Sequence, residues 1–322
     1  MNQILFTNQY TGLPLEIVQK SIPSGFQVDF LKTQSEEALW NQIHEVDYLL
    51  AGGRVSISEN VLKNADRLKM IQRSGVGLDS IDLEAVKEKR IPLYVNQGIN
   101  ADSVAEYTLL LILASLRKLP IIDKNTKNGI WKKQQQGVQT RELRGKTIGI
   151  IGMGHIARRL VELLTPFHVK ILYYDVTRIP TTDEESHHIQ YMELDDLLSQ
   201  SDIISIHCPL TKQTNHLICK KSISKMKKGA VLVNTARGGI IDTDDLYQAL
   251  QDGDIAYAAL DVHETEPFDD SYPLKGLPNV ILSPHIAGVT YDSFERMIKQ
   301  AFHNIMCFDK GNLSEIEQYR YI

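Results

Sequence analysis

Apolar and polar positions alternate in two regimes along this chain. Over the first hundred residues, short apolar runs at Ile4–Thr7, Val46–Ala51, Lys69–Arg73 and Pro92–Asn96 predict strands. Ser35–Ile43 and Ser58–Ala65 carry helical spacing between them. This mixture predicts a small open α/β unit. Asp102–Leu119 reads as one long helix, capped by Asp102 or Ser103, with Glu106 in its first turn and Pro120 after its apolar face. Asn128–Thr140 is polar and irregular, with Gly129, Gly137 and an isolated Trp131, and is expected to be a loop or excursion.

From Lys146 the alternation becomes regular. Strand-like runs fall at Thr147–Ile151, Lys170–Tyr174, Ile203–His207, Ala230–Asn234, Ala256–Leu260 and Asn279–Leu282. Helical patterns such as Ile156–Leu164 and Thr243–Gln251 separate most of them. Six strands with crossovers fit a doubly wound dinucleotide fold. Ser293–Lys310 is helical again and is expected to pack back on the first region. The predicted architecture is therefore α/β with two domains, one discontinuous over 1–100 and 288–322, the other over 101–287. Hinges are expected near Asn96–Asp102 and Ala287–Asp292.

Composition narrows the partners. A chain of 322 residues, 43% hydrophobic and 23% charged, matches two ordinary globular domains. A net charge of −5 with no long basic tract argues against nucleic acid. The most apolar segment, Leu109–Leu116, is far short of the roughly 20 residues that cross a bilayer, so no membrane partner is expected. It predicts a buried helix, in the core or at a subunit contact. The amino-terminal residues lack the basic start and apolar stretch of a signal peptide. Cys208, Cys219 and Cys307 are too few for a disulfide framework and show no metal-ligand spacing. Reduced thiols in the cytoplasm, and no metal, are the expectation.

Arg237, Glu266 and His285 each follow a strand-like run: Ala230–Asn234, Ala256–Asp261 and Asn279–Ser283. Ligands of parallel α/β sheets bind beyond the carboxyl ends of the strands, so the three can reach one crevice. Together they offer an anion clamp, a carboxylate and a titratable imidazole. Taken singly, each is an ordinary polar residue. His187, His188, His263 and His303 lack such support and are expected to be structural or solvent-facing.

Gly152-Met153-Gly154-His155-Ile156-Ala157 follows the Thr147–Ile151 strand and opens a helix. The first glycine permits a tight turn, the second lets backbone approach a pyrophosphate, and Ala157 serves as the third small residue. Amides of His155 and Ile156 at the helix start can meet phosphates. Asp175 ends the next strand, 21 residues after Gly154, where an acid binds ribose hydroxyls and repels a 2′-phosphate. That favours NAD, while Arg178 keeps NADP open. Cys208-Pro209 is expected to border the adenine, with Cys208 a packed thiol rather than a nucleophile.

Asn234-Thr235-Ala236-Arg237-Gly238-Gly239, Asp261-Val262-His263-Glu264-Thr265-Glu266-Pro267 and Ser283-Pro284-His285-Ile286-Ala287-Gly288 resemble signatures of the D-isomer-specific 2-hydroxyacid dehydrogenases. The resemblance extends to Gly152–Ala157, to His207-Cys208-Pro209-Leu210-Thr211 and to Ser74-Gly75-Val76-Gly77-Leu78-Asp79. It implies a Rossmann-type NAD-binding domain inserted in a flavodoxin-like substrate domain. It also implies hydride transfer between NAD(H) and a small 2-hydroxy acid/2-oxo acid pair of D configuration, and a homodimer. His285 would be the acid/base, Glu266 would orient it, and Arg237 would bind and polarise the substrate. Gly75 and Val76 would offer amides to the substrate carboxylate. Thr235 and Ala236 would approach the nicotinamide ribose, Asp261 the carboxamide, and Ala287 or Gly288 the ring.

The resemblance leaves the substrate open. Phosphoglycerate-type members carry basic residues in the loop matching Gly52-Gly53-Arg54-Val55; Arg54 could serve, but two adjacent glycines weaken the match. The chain ends at Ile322, without room for the regulatory domain of many such enzymes. Glyoxylate, hydroxypyruvate, phenylpyruvate-like and branched 2-oxo acids all remain. A different class also stays open, a non-catalytic NAD(H)-responsive binding protein like the C-terminal-binding-protein corepressors.

Overall fold

The computed structural model describes residues 1–322, and its first sheet is wholly parallel. Its strands are β1 (Asn2–Phe6), β2 (Phe26–Phe30), β3 (Tyr48–Ala51), β4 (Met70–Arg73) and β5 (Leu93–Val95), in the order β2-β1-β3-β4-β5. That is the flavodoxin-like winding. Its strands alternate between two cores. Leu5, Leu49, Ile71 and Leu93 face one side. Ile4, Phe6, Tyr48, Leu50, Met70 and Tyr94 face the other, where helix Tyr291–Asp309 lays down Ile298, Phe302 and Ile305. The carboxy-terminal helix thus packs back as its periodicity predicted.

The second sheet comprises β6 (Thr147–Ile151), β7 (Lys170–Tyr174), β8 (Ile189–Tyr191), β9 (Ile203–Ile206), β10 (Ala230–Asn234), β11 (Ile255–Leu260) and β12 (Val280–Leu282). Their order is β12-β11-β10-β9-β6-β7-β8, again all parallel. This is the dinucleotide-binding winding with one strand added beyond the sixth. Ile148, Ile150 and Tyr173 meet helices Ala101–Arg117 and His155–Leu164 on one face. Leu172, Ile204, Leu232 and Ala258 meet Leu194–Gln200 and Thr243–Asp252 on the other.

The chain divides into two units, Met1–Asn100 with Val289–Ile322, and Ala101–Gly288. Gly288 sits with the second. The sequence missed β2 and β8, which are edge strands. Phe26–Phe30 shows only intermediate and exposed positions, so it lacks the buried apolar run that marks an inner strand. The long helix also ends early. It runs Ala101–Arg117, Lys118 turns left-handed at φ 49°, and Pro120 opens a second helix, Leu119–Lys127. Proline is tolerated in a first turn and excluded from a helix interior, so the break belongs before it. Asp102 lies inside the first turn rather than at the cap. A short helix, Lys133–Gly137, interrupts the expected excursion.

Candidate active site

β12, β11 and β10 end side by side, and the loop after each carries one of the three polar residues. Asn234, fully buried at the end of β10, shapes the first loop. Its Oδ1 accepts the Ala236 amide at 3.0 Å, and its Nδ2 donates to the Arg237 carbonyl at 2.9 Å. Arg237 Nη1 donates to the Ala236 carbonyl at 2.7 Å. Thr235 shares a 3.0 Å hydroxyl hydrogen bond with Thr108 on the long helix. A Cβ at Gly238 would lie 1.9 Å from the carbonyl carbon of His263, so only glycine lets the first loop press against the second.

His285 occupies a left-handed backbone, φ 58°. Such a conformation costs a non-glycine residue on the order of 1–3 kcal/mol and persists where its surroundings enforce it. Asp261 supplies the enforcement. Its carbonyl accepts the His285 amide at 2.7 Å. Its fully buried carboxylate accepts the Ser283 hydroxyl at 2.6 Å, the Ile286 amide at 3.0 Å and the Ala287 amide at 2.8 Å. Asp261 was expected at a carboxamide; its carboxylate here turns toward the neighbouring loop, 283–288. Three of its roughly four acceptor positions are used, leaving one.

His285 Nδ1 lies 2.7 Å from Glu266 Oε2. An ionised carboxylate can only accept, so Nδ1 carries the hydrogen and Nε2 is left to face a ligand. Glu266 Oε1 accepts the His263 amide at 2.9 Å. Burial pushes the Glu266 carboxyl up, but the hydrogen bonds from His285 and His263 outweigh it and hold it below the usual carboxylate range. His263 is structural, as expected, though closer to the site than expected. One ring nitrogen, Nε2, donates to the Ser283 carbonyl at 3.0 Å, and Nδ1 accepts the Tyr272 hydroxyl at 3.2 Å. It therefore ties the Glu266 loop to the His285 loop.

The glycine turn after β6 meets the demands of a dinucleotide. Gly152 has φ 93°, and a Cβ there would lie 2.6 Å from the Cys208 amide nitrogen. Gly154 has nothing within 4 Å of its Cβ position, so the start of helix His155–Leu164 is open to a phosphate. Asp175 accepts the Met153 amide at 2.7 Å and the Thr177 amide at 3.0 Å, which fixes the acid beside the turn. Arg178 is withdrawn. Its Nε and Nη2 each donate to Glu184 at 2.7 Å, and its guanidinium lies over the Tyr191 ring. Those two hydrogen bonds hold the Glu184 carboxyl down at about 2. The arginine that kept a 2′-phosphate open is thus already paired.

Just past the adjoining strand β9, burial pushes the Cys208 thiol up to about 11 and His207 down to about 4. Cys208 is a packed thiol with little thiolate character. Pro209 follows it, its carbonyl accepting the Thr214 hydroxyl at 2.6 Å.

In the first unit, Gly52–Val55 and Gly75–Gly77 lie beyond the carboxyl ends of β3 and β4. Gly75 has open space at its Cβ position, and Val76 is 40% exposed. Arg73, buried at the end of β4, spans both loops: its Nη1 donates to the Ala51 carbonyl at 3.0 Å and its Nε to the Gly77 carbonyl at 2.5 Å. Sequence pattern missed this strut. Its only signal was an arginine at the end of an apolar run, between two glycine turns.

Comparison with known proteins decides the family. The family model described as "D-isomer specific 2-hydroxyacid dehydrogenase, NAD binding domain" matches residues 109–287. A glyoxylate reductase of Thermofilum pendens is 41% identical over 87% of this chain and 83% of its own. A hydroxypyruvate reductase of Thermotoga maritima is 39% identical over 81% and 84%. The D-lactate dehydrogenase of Aquifex aeolicus, solved with NAD and lactic acid, superposes with a TM-score of 0.87, is 31% identical, and is covered over 98% by 99% of this chain. The chain belongs to the D-isomer-specific 2-hydroxyacid dehydrogenases. It is an NAD-dependent oxidoreductase acting on CH–OH groups, and the expected cofactor and fold class stand.

Proposed function

We propose that this dehydrogenase interconverts small 2-oxo acids and their D-2-hydroxy acids, with glyoxylate and hydroxypyruvate as the preferred oxo acids. The observation that carries the reading is the 2.7 Å hydrogen bond between His285 Nδ1 and Glu266, on a loop neighbouring the one that bears Arg237. The substrate class follows the names of the relatives, glyoxylate reductase and hydroxypyruvate reductase.

NADH, when bound, supplies the hydride. The chain supplies the rest. Arg237 binds the substrate carboxylate and polarises the carbonyl with a planar fork that lysine cannot copy. The carbonyl oxygen gains negative charge as its carbon is reduced, and His285 Nε2–H gives it a proton. In oxidation the neutral Nε2 takes that proton back. Glu266 fixes the ring and its tautomer through Nδ1. Gly75 and Val76 contribute amides to the substrate carboxylate. Gly152, Gly154, His155 and Ile156 hold the pyrophosphate, Asp175 the ribose, Cys208 and Pro209 the adenine edge, and Thr235, Ala236, Asp261 and Gly288 the nicotinamide side.

Initial rates of NADH oxidation with a panel of 2-oxo acids, run with both cofactors and in both directions, test this. Turnover is expected with glyoxylate and hydroxypyruvate. Tight NADH binding and NADH-dependent association without turnover on any acid would instead make the chain a binding module of the corepressor type.

Asp175→Ser should relax the preference for NAD, because the group that repels a 2′-phosphate is gone. The ratio of kcat/KM for the two cofactors should move by about tenfold or more toward NADP, equivalent to about 1.4 kcal/mol. An unchanged ratio would place cofactor choice elsewhere.

Two further features belong to this reading. Trp131, Val138, Leu119 and Leu110 are 81%, 74%, 52% and 51% exposed, and this apolar surface on and after the long helix is offered as the homodimer contact. No helix is long and apolar enough to cross a membrane, and all three cysteines are free thiols, which supports a cytoplasmic enzyme.

A further inference from the structure

We propose a binding site for zinc or a similar divalent cation formed by His303, Cys307 and Glu315, away from the hydride chemistry. His303 and Cys307 are four apart on helix Tyr291–Asp309 and so share one face. The chain then reverses through Gly311, φ 76°, and the turn Leu313–Glu315 brings Glu315 over the same face. Cys307 Sγ lies 3.5 Å from His303 Nε2 and 3.7 Å from Glu315 Oε2. All three ligand atoms fall within 4.8 Å of one another.

The two distances from Cys307 lie close to the edges of a zinc tetrahedron. Zn–S of about 2.3 Å and Zn–N or Zn–O of about 2.0–2.1 Å, at tetrahedral angles, give S–N and S–O edges of about 3.5 Å. One sulfur, one imidazole and one carboxylate form a donor set that suits zinc, cobalt or copper and not magnesium or calcium. Linear spacing hid the site, because the third ligand arrives from a turn beyond the helix. Cys307 is buried beneath that turn while Glu315 is exposed, so the ion enters from solvent and the fourth position falls to water.

The site has a structural consequence. Ile316, next to Glu315, is fully buried in the core that holds Phe302, Ile305 and Tyr94. Beyond it, Arg320 bridges to Tyr94 and the Tyr321 amide donates to the Leu93 carbonyl at 2.8 Å, covering the edge strand β5. An ion joining Glu315 to the helix fastens the segment that closes this edge.

The full-length protein titrated with Co²⁺, then Zn²⁺, tests the site. Expected are one equivalent bound, a thiolate-to-cobalt charge-transfer absorption displaced by Zn²⁺, and a higher thermal midpoint with Zn²⁺. The absorption should vanish in Cys307→Ser and persist in Cys219→Ser. His303→Gln and Glu315→Gln alter the rim of the site and leave Cys307 packed, so they guard against a folding defect. Each should weaken binding by at least the roughly 10–100-fold seen on removing mere outer-shell partners of metal ligands. Absence of the absorption in excess Co²⁺, its persistence in Cys307→Ser, or the same thermal shift in all variants would overturn the proposal.

Discussion

His285→Ala is expected to lower the turnover of oxo-acid reduction by about 10²–10⁴-fold, the usual contribution of a positioned general acid. NADH affinity should change little, since the lost group acts on the substrate oxygen. The sign of the pH dependence is fixed by the chemistry. Reduction takes a proton from the protonated imidazole, so its rate falls as pH rises. Oxidation needs the neutral ring and rises over the same range. Both limbs should vanish in the variant. Two neighbouring groups do not supply them. Glu266 is held below the usual carboxylate range and stays ionised at neutral pH, and His207, down at about 4, stays neutral there. Glu266 has its own acid limb. Its folded-state pKa is depressed, so its contribution to stability is present above the unfolded carboxyl value and is lost as pH falls through the lower folded one. Steady-state kcat and kcat/KM across pH, for wild type, His285→Ala and Glu266→Gln, separate these effects. Near-normal turnover in His285→Ala would remove it from the chemistry.

The sequence showed most of this fold because inner parallel strands are continuous apolar runs. Thr147–Ile151, Lys170–Tyr174 and Ala230–Asn234 fall at the same residues in pattern and in structure. Phe26–Phe30 and Ile189–Tyr191 carry exposed positions in place of such a run, which is why they went unseen. Arg237, Glu266 and His285 were legible because each stands just past a recognisable strand. Their supports were not. Asn234 and His263, like Arg73 between the glycine turns of the first unit, act through backbone groups that come near only after folding. Arg178 shows the limit most clearly. As a residue three past Asp175 it reads as a solvated loop arginine, with a 2′-phosphate contact still open. Only the placement of Glu184 on the helix Thr181–His187, beside the Tyr173 hydroxyl, commits it to another partner.

Asp261→Ala should be the most damaging change that touches no reacting atom. It strands three donors: the Ser283 hydroxyl and the Ile286 and Ala287 amides. A buried donor left without a partner costs about 1–3 kcal/mol, so a loss of several kcal/mol is expected, short of the simple sum because the loop can relax toward water. The strained His285 backbone makes the loss functional. That left-handed turn is held by the bonds around Asp261, and the Asp261 carbonyl alone, still bonded to the His285 amide, cannot keep the 283–288 loop in register. Turnover should therefore fall together with the thermal midpoint, and amides of 283–288 should exchange hydrogen faster. His285→Ala offers the contrast, since it removes the acid and spares the scaffold, so its melting should stay near wild type. Asp261→Asn should fall between them: it keeps one acceptor oxygen but sets an amide donor against the amide of Ala287. If Asp261→Ala melts like wild type and loses only NADH affinity, the carboxylate serves the cofactor carboxamide through its one open acceptor position, and the loop is held by other means.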